Sequence, residues 1–299
     1  MTSTPETPAS TPAEAAAPTP AEPINWWSEV RGLIGMFIAV LAFHSVIAKP
    51  FYIPSASMVP GLWVGDHLVV SKYPYGWNWE SASFHILPRG SWRIWPRTPE
   101  YGDVVIVVPR GRPGEDYIKR VVALPNDRIA VRHGQIILNG HPVPQAVEPP
   151  AEIPLNAIAS AEDPYPCEGY GFAGMKIRKA SGAQVCEMPA YRETMPNGAT
   201  YTIVDHMEQS LDNMDEITVP AGHVFVMGDN RDHSADSRVS LEGNGLGGPV
   251  PISDIGGRAE FITHSFDGTT SWNPITWVTS LRSGRAWHTL RPALDPTRR

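Results

Sequence analysis

The chain is short of cysteine, of charge and of helical periodicity, and each shortage excludes a class of protein. Two Cys in 299 residues exclude a disulfide-dense small domain and a zinc site built from four cysteines. Charged residues make up 18%, against roughly 25% in an average soluble domain. Lys occurs only five times and the net charge is −7, so the basic footprint that nucleic acid requires is missing. No repeat with a period of about 20–50 residues is visible, which argues against solenoids and propellers. The HExxH, GxSxG and SxxK signatures are absent. Gly243-Asn-Gly245-Leu-Gly-Gly248 fits GxGxxG, but Pro249 and Pro251 follow it and leave no helix to receive a pyrophosphate. Asp229, Asp232 and Asp236 suggest a calcium loop. Counted from Asp232, however, Ser237 and Gly243 stand where Gly and Glu are needed.

What is present is proline, glycine and short apolar runs. Pro, at 31 residues, is about double its usual share, and the length is that of about two domains. In residues 1–23, Pro, Ala and Thr supply 17 of 23 positions with no Lys or Arg. Such a tail has too little apolar bulk to offset its ordering entropy and reads as disordered. Gly32 to Ala48 is a run of 17 residues whose one titratable group is His44. As a helix it rises about 25 Å, slightly short of a hydrocarbon core of about 30 Å. Trp26, Trp27, Phe51 and Tyr52 extend it as interfacial aromatics, so residues 24–50 read as one transmembrane anchor. The alternative is a signal peptide cleaved after Ala48. The long polar lead is unlike a short basic n-region. His44 lies within about a turn of the helix end and reads as a neutral interfacial residue. Arg31 and Lys49 stand on opposite sides, so charge does not set the orientation.

From residue 64 onward the pattern is β. VGDHLVVSKY, YGDVVIVV, DYIKRVVAL, DRIAVRHGQIILNGHPV, ATYTIVDH, DEITVPAGHVFVMGD and GRAEFITHSF are Val/Ile-rich runs bounded by Gly, Pro, Asn or Asp. Asn139-Gly140 reads as a tight hairpin turn. No stretch after residue 50 shows a 3.6-residue period. Residues 142–200, which hold both Cys, read as an insertion or second subdomain.

Three segments can carry chemistry. Ile53-Pro-Ser-Ala-Ser-Met-Val-Pro60 puts two Ser between two Pro, where a rigid turn can present a nucleophile and a neighbouring hydroxyl or N–H can bind an oxyanion. Read as composition alone it is equally a linker. Asp116-Tyr-Ile-Lys119-Arg-Val-Val places Lys119 on one face with Tyr117 and Val121. An inward face would desolvate the Lys and lower its pKa, which makes a general base. An edge-strand Lys pointing to water is the other reading. Met227-Gly-Asp-Asn-Arg-Asp-His-Ser-Ala-Asp-Ser-Arg238 can form a dense Asp–Arg network or an ordinary solvated loop.

Together these segments resemble the bacterial type I signal (leader) peptidases. In that family a P-S-x-S-M-x-P box follows the anchor. G-D-[IV]-V-V, Y-I-K-R and G-D-N-R-D-x-S-x-D-S-R boxes come next. Here they run Pro54–Pro60, Gly102–Val105, Tyr117–Arg120 with Leu124-Pro-Asn-Asp127, and Gly228–Arg238, in that order, and Gly257-Arg-Ala259 matches a later G-R-A strand. The resemblance covers roughly residues 50–130 and 220–266. Departures are Ala56 for a common Gly, Gly61 for Thr, Ala123 for Gly and Asn126 for Gly; none removes a catalytic atom.

The resemblance implies a mainly β fold on one N-terminal transmembrane helix. Its catalytic core is mixed and barrel-like, formed by 51–127 and 219–266. An inserted β subdomain spans 128–218, and a Trp- and Arg-containing extension spans 267–299. It implies Ser57 as nucleophile and Lys119 as base. Ser55 joins the Ser57 N–H in the oxyanion hole, and Ser234 hydrogen-bonds the Lys. Asp229, Arg231, Asp236 and Arg238 act as scaffold, with Arg120 as partner. Phe51, Ile53, Ile106 and Ile118 line pockets for small residues before the cleaved bond. The implied reaction is cleavage of exported preproteins after a small-x-small motif, without cofactor or metal. The implied partners are preprotein signal peptides and a lipid bilayer, not nucleic acid, and the oligomeric state stays open. The implied location is the bacterial inner membrane, with the catalytic domain on the periplasmic side. In that oxidising compartment Cys167 and Cys186 are expected to be joined. Rivals are a same-clan peptidase dedicated to one substrate such as a pilin precursor, and an anchored periplasmic scaffold without activity; the latter fits poorly with the retention of both Ser57 and Lys119. His233, beside Ser234, offers an alternative base. Trp77, Trp79, Trp92 and Trp95, with Met58, Leu62 and Trp63, are expected to form a lipid-facing surface, with a hairpin core as the alternative.

Overall fold

The computed structural model describes residues 25–82, 87–112, 114–155, 167, 175–180 and 182–295. The disordered tail expected at 1–23 lies outside them. The chain divides into two units, residues 1–39 and 40–299. Over its described residues the first unit belongs to helix α1, Trp26–Val46, and no residue of that helix is buried. At 21 residues, α1 is long and apolar enough to cross a membrane. It stops before residue 50 because Pro50 disfavours helix at the residue before it. The backbone there is taken into a sheet instead, with Ala48 opposite Ser71 and Pro50 opposite Val69.

The larger unit is mainly β. In chain order its strands are β1 Ala48–Tyr52, β2 Asp66–Ser71, β3 Trp77–Asn78, β4 Arg93–Ile94, β5 Val104–Val107, β6 Tyr117–Ala123, β7 Arg128–Arg132, β8 Gln135–Leu138, β9 His141–Pro142, β10 Gln145–Pro154, β11 Lys176–Arg178, β12 Gln184–Thr194, β13 Ala199–Val204, β14 Met214–Thr218, β15 His223–Met227, β16 Val250–Pro251, β17 Ile255–Ser265 and β18 Ala293–Leu294. The main sheet is antiparallel, in the order β1-β2-β17-β5-β6-β15-β16. β5, with the sequence VVIV, is buried at every residue, as a continuous apolar run in mid-sheet should be. A four-stranded sheet runs β14-β7-β8-β9, and a five-stranded one runs β10-β12-β13-β18 with β11 on β12. The β8–β9 turn is Asn139-Gly140, with φ of 54° and 81°. Both values lie in the left-handed region that this tight turn requires.

The inserted strands do not have a core to themselves. One cluster of buried side chains runs from Val122, Phe225 and Met227 of the main sheet to Ile129, Ile136, Tyr201 and Ile203. The C-terminal segment also enters the inserted sheet, since β18 pairs with β13. A disulfide joins Cys167 and Cys186, with Cα atoms 5.8 Å apart. The stretch after residue 50 is not wholly without helix. Pro274–Thr279 forms a short α2, capped by the Asn273 side chain, which accepts from the Ile275 N–H at 3.1 Å. At six residues it is too short to display a period, although Asn-Pro is a start signal.

The expected aromatic surface is only partly present. Met58 and Leu62 are buried among Ile53, Leu68 and Ile106, and Trp79 is buried as well. Trp63 is half-buried and stacks under the Arg285 guanidinium, 4.1 Å from its ring centroid. Trp92 and Trp95 are exposed, and Trp77 meets Trp95 edge to face at 5.6 Å. Met58 lies within the proline-bounded turn Pro54–Pro60 and Leu62 just after it, and the turn folds inward, so both side chains fill the core.

Candidate active site

The turn after β1 carries Ser55 and Ser57 to the mouth of the main sheet. Lys119 extends from β6, a strand buried at every residue except Tyr117. Lys119 is 4% exposed and Ser57 6%. The Lys119 Nζ donates to Ser57 Oγ at 2.9 Å and to the Ile118 carbonyl at 2.9 Å. Ser55 Oγ lies 3.2 Å from Ser57 Oγ. A hydroxyl held against a buried amine, with a second hydroxyl beside it, can perform nucleophilic catalysis if the amine is neutral.

These groups share a cleft of about 720 Å³, bordered by Phe51, Ile53, Ile106 and Ile118 as well as Ser55, Ser57, Lys119 and Ser234. That volume is in the range of ligand sites. His233 also borders it. The hydroxyl of Ser234 is buried and makes no hydrogen bond, so the bond to Lys119 that the resemblance implies is not formed in this geometry.

The acidic loop after β15 holds this arrangement from behind. The Asn230 N–H donates to the Ser57 carbonyl at 3.1 Å, and its side-chain Nδ2 donates to the Ala56 carbonyl at 3.2 Å. Gly228 is required by close approach: a Cβ there would collide with Ser234 and with the Ser57 carbonyl. Arg120 grips Asp229 with two nitrogens, at 2.7 and 2.6 Å, and donates to the Gly102 carbonyl at 2.7 Å. Its guanidinium also lies 4.2 Å from the Tyr201 ring centroid. Burial alone would lower the Arg120 pKa, but Asp229 outweighs it and raises it. Arg238 grips Asp236 at 3.0 and 2.9 Å, and Asp236 also accepts the Gly228 N–H at 3.0 Å. Burial pushes the Asp236 carboxyl up; Arg238 and the N–H donors more than offset this and hold it below its usual range.

Arg231 finds its partner outside the loop, in the inserted sheet. Glu193 of β12, fully buried, takes the Arg231 fork, with Nη1 at 2.8 Å. The Arg231 N–H donates to the Val204 carbonyl, and the Val204 N–H donates to the Asp229 carbonyl, both at 2.9 Å. Sequence reading missed Glu193 because nothing around it marks it as other than a surface strand residue. It also passed over Asn230, whose signal was present: an Asn between Asp229 and Arg231, inside the most specific box.

Among the described residues one acidic group could hold a metal: Asp205, Asp212 and Asp232, with ligand oxygens within 4.8 Å of one another. Burial and the two neighbouring carboxylates push the Asp205 carboxyl up to about 6. Asp232 is already engaged, accepting the His206 N–H at 2.7 Å and the Gln209 amide at 2.9 Å. The cluster supplies nothing to Ser57 directly.

Comparison with known proteins gives a consistent result. Residues 26–264 match the model of the family described as signal peptidase, peptidase S26. A signal peptidase I of Rickettsia akari is 29% identical over 288 residues, covering 89% of this chain and 92% of that protein. The signal peptidase I of Rickettsia typhi is 30% identical over 270 residues, covering 84% and 88%. A solved signal peptidase I from Enterococcus faecalis is 21% identical and covers 54% of this chain and 97% of its own, with a TM-score of 0.26, a likeness too low to bear on the fold.

Proposed function

The chain belongs to the signal peptidase family, peptidase S26, and from that premise we propose that it cleaves signal peptides from exported preproteins with a Ser57/Lys119 dyad. The observation that carries the reading is the 2.9 Å contact between Lys119 Nζ and Ser57 Oγ, with both side chains buried and both lining the cleft. Ser57 Oγ attacks the scissile carbonyl while neutral Lys119 takes its proton. Burial favours the uncharged amine. The oxyanion is held by the Ser57 N–H and the Ser55 hydroxyl. Lys119 then returns the proton to the leaving amine, and water, deprotonated by the same amine, releases the acyl-enzyme. No step calls for a metal or cofactor. Phe51, Ile53, Ile106 and Ile118 leave shallow apolar room on the acyl side, which favours small side chains and hence the small-x-small rule.

The anchor α1 ends at Val46, eleven residues before Ser57, so the chain connection keeps the nucleophile within reach of a bilayer surface. There a signal peptide and the lipid itself are the partners. The tail lies on the cytoplasmic side and the catalytic unit outside the inner membrane. Alkaline phosphatase fused after residue 299 should be active; an inactive fusion overturns the orientation. The activity is tested by incubating the purified full-length protein with a preprotein. A single cut after the small-x-small pattern, lost in Ser57→Ala, supports the reading, and cleavage undiminished in Ser57→Ala overturns it. A Lys base also requires the rate to climb on the alkaline side of the histidine range.

A further inference from the structure

The Gly-rich run 243–248 belongs to a loop beside the cleft, which Gly243 lines. The cleft that holds Ser57 and Lys119 does not end at Ile106 and Ile118. Its lining also takes in Arg112, Glu115, Asp116 and Tyr117 from the segment before and at the start of β6, and Val239 and Gly243 from the loop after the acidic box. The two sides are tied together there. Arg112 donates through Nη2 to the Asn244 side-chain oxygen. The Tyr117 hydroxyl donates to the Asn244 carbonyl at 3.0 Å. Arg112 also pairs with Glu115 at 3.1 Å.

The loop behind this tie is a built wall rather than a slack flap. The Leu246 side chain is buried in the core with Val105 and Val121. The Leu246 N–H donates to the Asp236 carbonyl at 3.0 Å, and the Gly247 N–H donates to the Val239 carbonyl at 2.9 Å. The loop is therefore fixed through Leu246 to the acidic box that braces Ser57, and through Asn244 to Tyr117 of the strand that carries Lys119.

We propose that Arg112 and Asn244 latch the loop 239–248 as the far wall of the substrate cleft, and that this wall binds the signal-peptide residues upstream of the small-x-small pattern. The inference rests on the proposed activity. Its occupant is an extended, apolar stretch of peptide, met by Val239 and by the Tyr117 ring, which runs from 5.4 Å off the Lys119 Nζ out to its hydroxyl on Asn244. Arg112 and Asn244 are positioning residues: they hold the wall and take no part in bond breaking. The latch should therefore matter only for substrates long enough to reach it.

The test uses the full-length protein in detergent and two peptides with the same cleavage site. One begins at the first residue of the small-x-small pattern, and the other carries five further apolar residues upstream. Arg112→Ala and Asn244→Gly each remove the Arg112–Asn244 side-chain bond and leave the Tyr117 bond to the Asn244 carbonyl in place. Gly is suited to the left-handed backbone of Asn244, at φ 62°, so the turn itself survives. For the long peptide KM should rise about three- to tenfold, the loss expected of one charge-assisted hydrogen bond, with kcat unchanged. For the short peptide both constants should stay within about twofold. The double variant should equal either single one, because both remove the same bond. Equal changes for both peptides, no change for the long one, or a double variant whose loss is the product of the two singles overturns the latch. Failure of the unmutated protein to cleave either peptide overturns the proposed activity, and the latch with it.

Discussion

Behind the cleft, Arg120, Arg231 and Arg238 each face a carboxylate with two nitrogens. Inside it, Lys119 faces the Ser57 hydroxyl and the Ile118 carbonyl. All of these cations are buried or nearly so, yet the two regions use burial for opposite ends. A planar guanidinium cannot give up its proton and fits a carboxylate with two parallel bonds, so the scaffold stays charged and rigid. A Lys amine can be driven to neutrality by burial, and a hydroxyl and a carbonyl do not resist that as a carboxylate would. The contrast separates residues whose loss should stop chemistry from residues whose loss should unfold the frame.

The largest expected effect lies on the chemical side of that divide. Ser57→Ala, Lys119→Met and Lys119→Arg should each lower kcat/KM for a preprotein by about 10⁴-fold or more, while thermal unfolding midpoints stay within a few degrees. Arg fails because it cannot accept a proton at working pH. His233→Asn, at the rim of the same cleft, should be mild. If Lys119→Met still turned over and His233→Asn were inactive, the division between the two regions would be drawn in the wrong place.

On the scaffold side, Glu193→Ala should be the most damaging change to stability. It leaves the Arg231 guanidinium fully buried without its carboxylate, a loss of about 3–5 kcal/mol for a broken buried pair. Urea unfolding of the detergent-solubilised protein measures it. A loss below about 1 kcal/mol would mean that Arg231 finds another partner and that the inserted sheet does not brace the loop.

How much of this was legible in the sequence follows the same divide. Ser57, Lys119 and the acidic loop stand in contiguous boxes, and strand alternation alone places Lys119 on the face of Tyr117. The hairpin at Asn139-Gly140 was legible because two residues demand a left-handed backbone. Glu193 was not, because its partner Arg231 lies 38 residues on in the chain and pairing across that span leaves no local pattern. The entry of residues 293–294 into the inserted sheet was hidden for the same reason: two residues carry no period. The sequence groups Met58 and Leu62 with the clustered Trp as a lipid-facing surface, and only the packing of β2, β5 and β17 around them makes them core.

Gly228→Ala sits on the boundary and should move both readouts. The added methyl must displace the Ser57 carbonyl or the Ser234 side chain. A displacement of about 1 Å at a nucleophile costs up to about 10²-fold in rate, and overpacking costs about 1–3 kcal/mol in stability. A variant with full activity would show that the nucleophile tolerates movement of its own carbonyl, and that the bracing by Asn230 is not needed for catalysis.

The smallest effect belongs to Asp205, and its sign is set by pH. In the folded protein its carboxyl is raised to about 6 by burial first and by Asp232 and Asp212 next, against about 3.9 when unfolded. Between those values the native state binds more protons than the unfolded one, so stability falls as pH rises through that window. The native form is favoured most below about pH 4, and that contribution is gone above about pH 6. Asp205→Asn removes the titration. It should therefore stabilise the protein relative to the unmutated chain at pH 8, with the difference vanishing toward pH 4. Its amide can also donate to the Asp212 oxygen that is buried without a partner. Every other carboxylate is common to both proteins and cancels in the difference. Because Asp205 is well short of fully buried, solvent screening keeps the effect small, and it should be read as a shift of a few degrees or less in unfolding midpoint. Catalysis should be untouched, since the Asp205 carboxylate makes no contact with Ser57, Ser55 or Lys119. A variant less stable than the unmutated chain at pH 8 would mean that the ionised carboxylate is favourable there, as a bound cation would make it, and burial with repulsion from Asp232 and Asp212 would have to be abandoned as the cause of the shift.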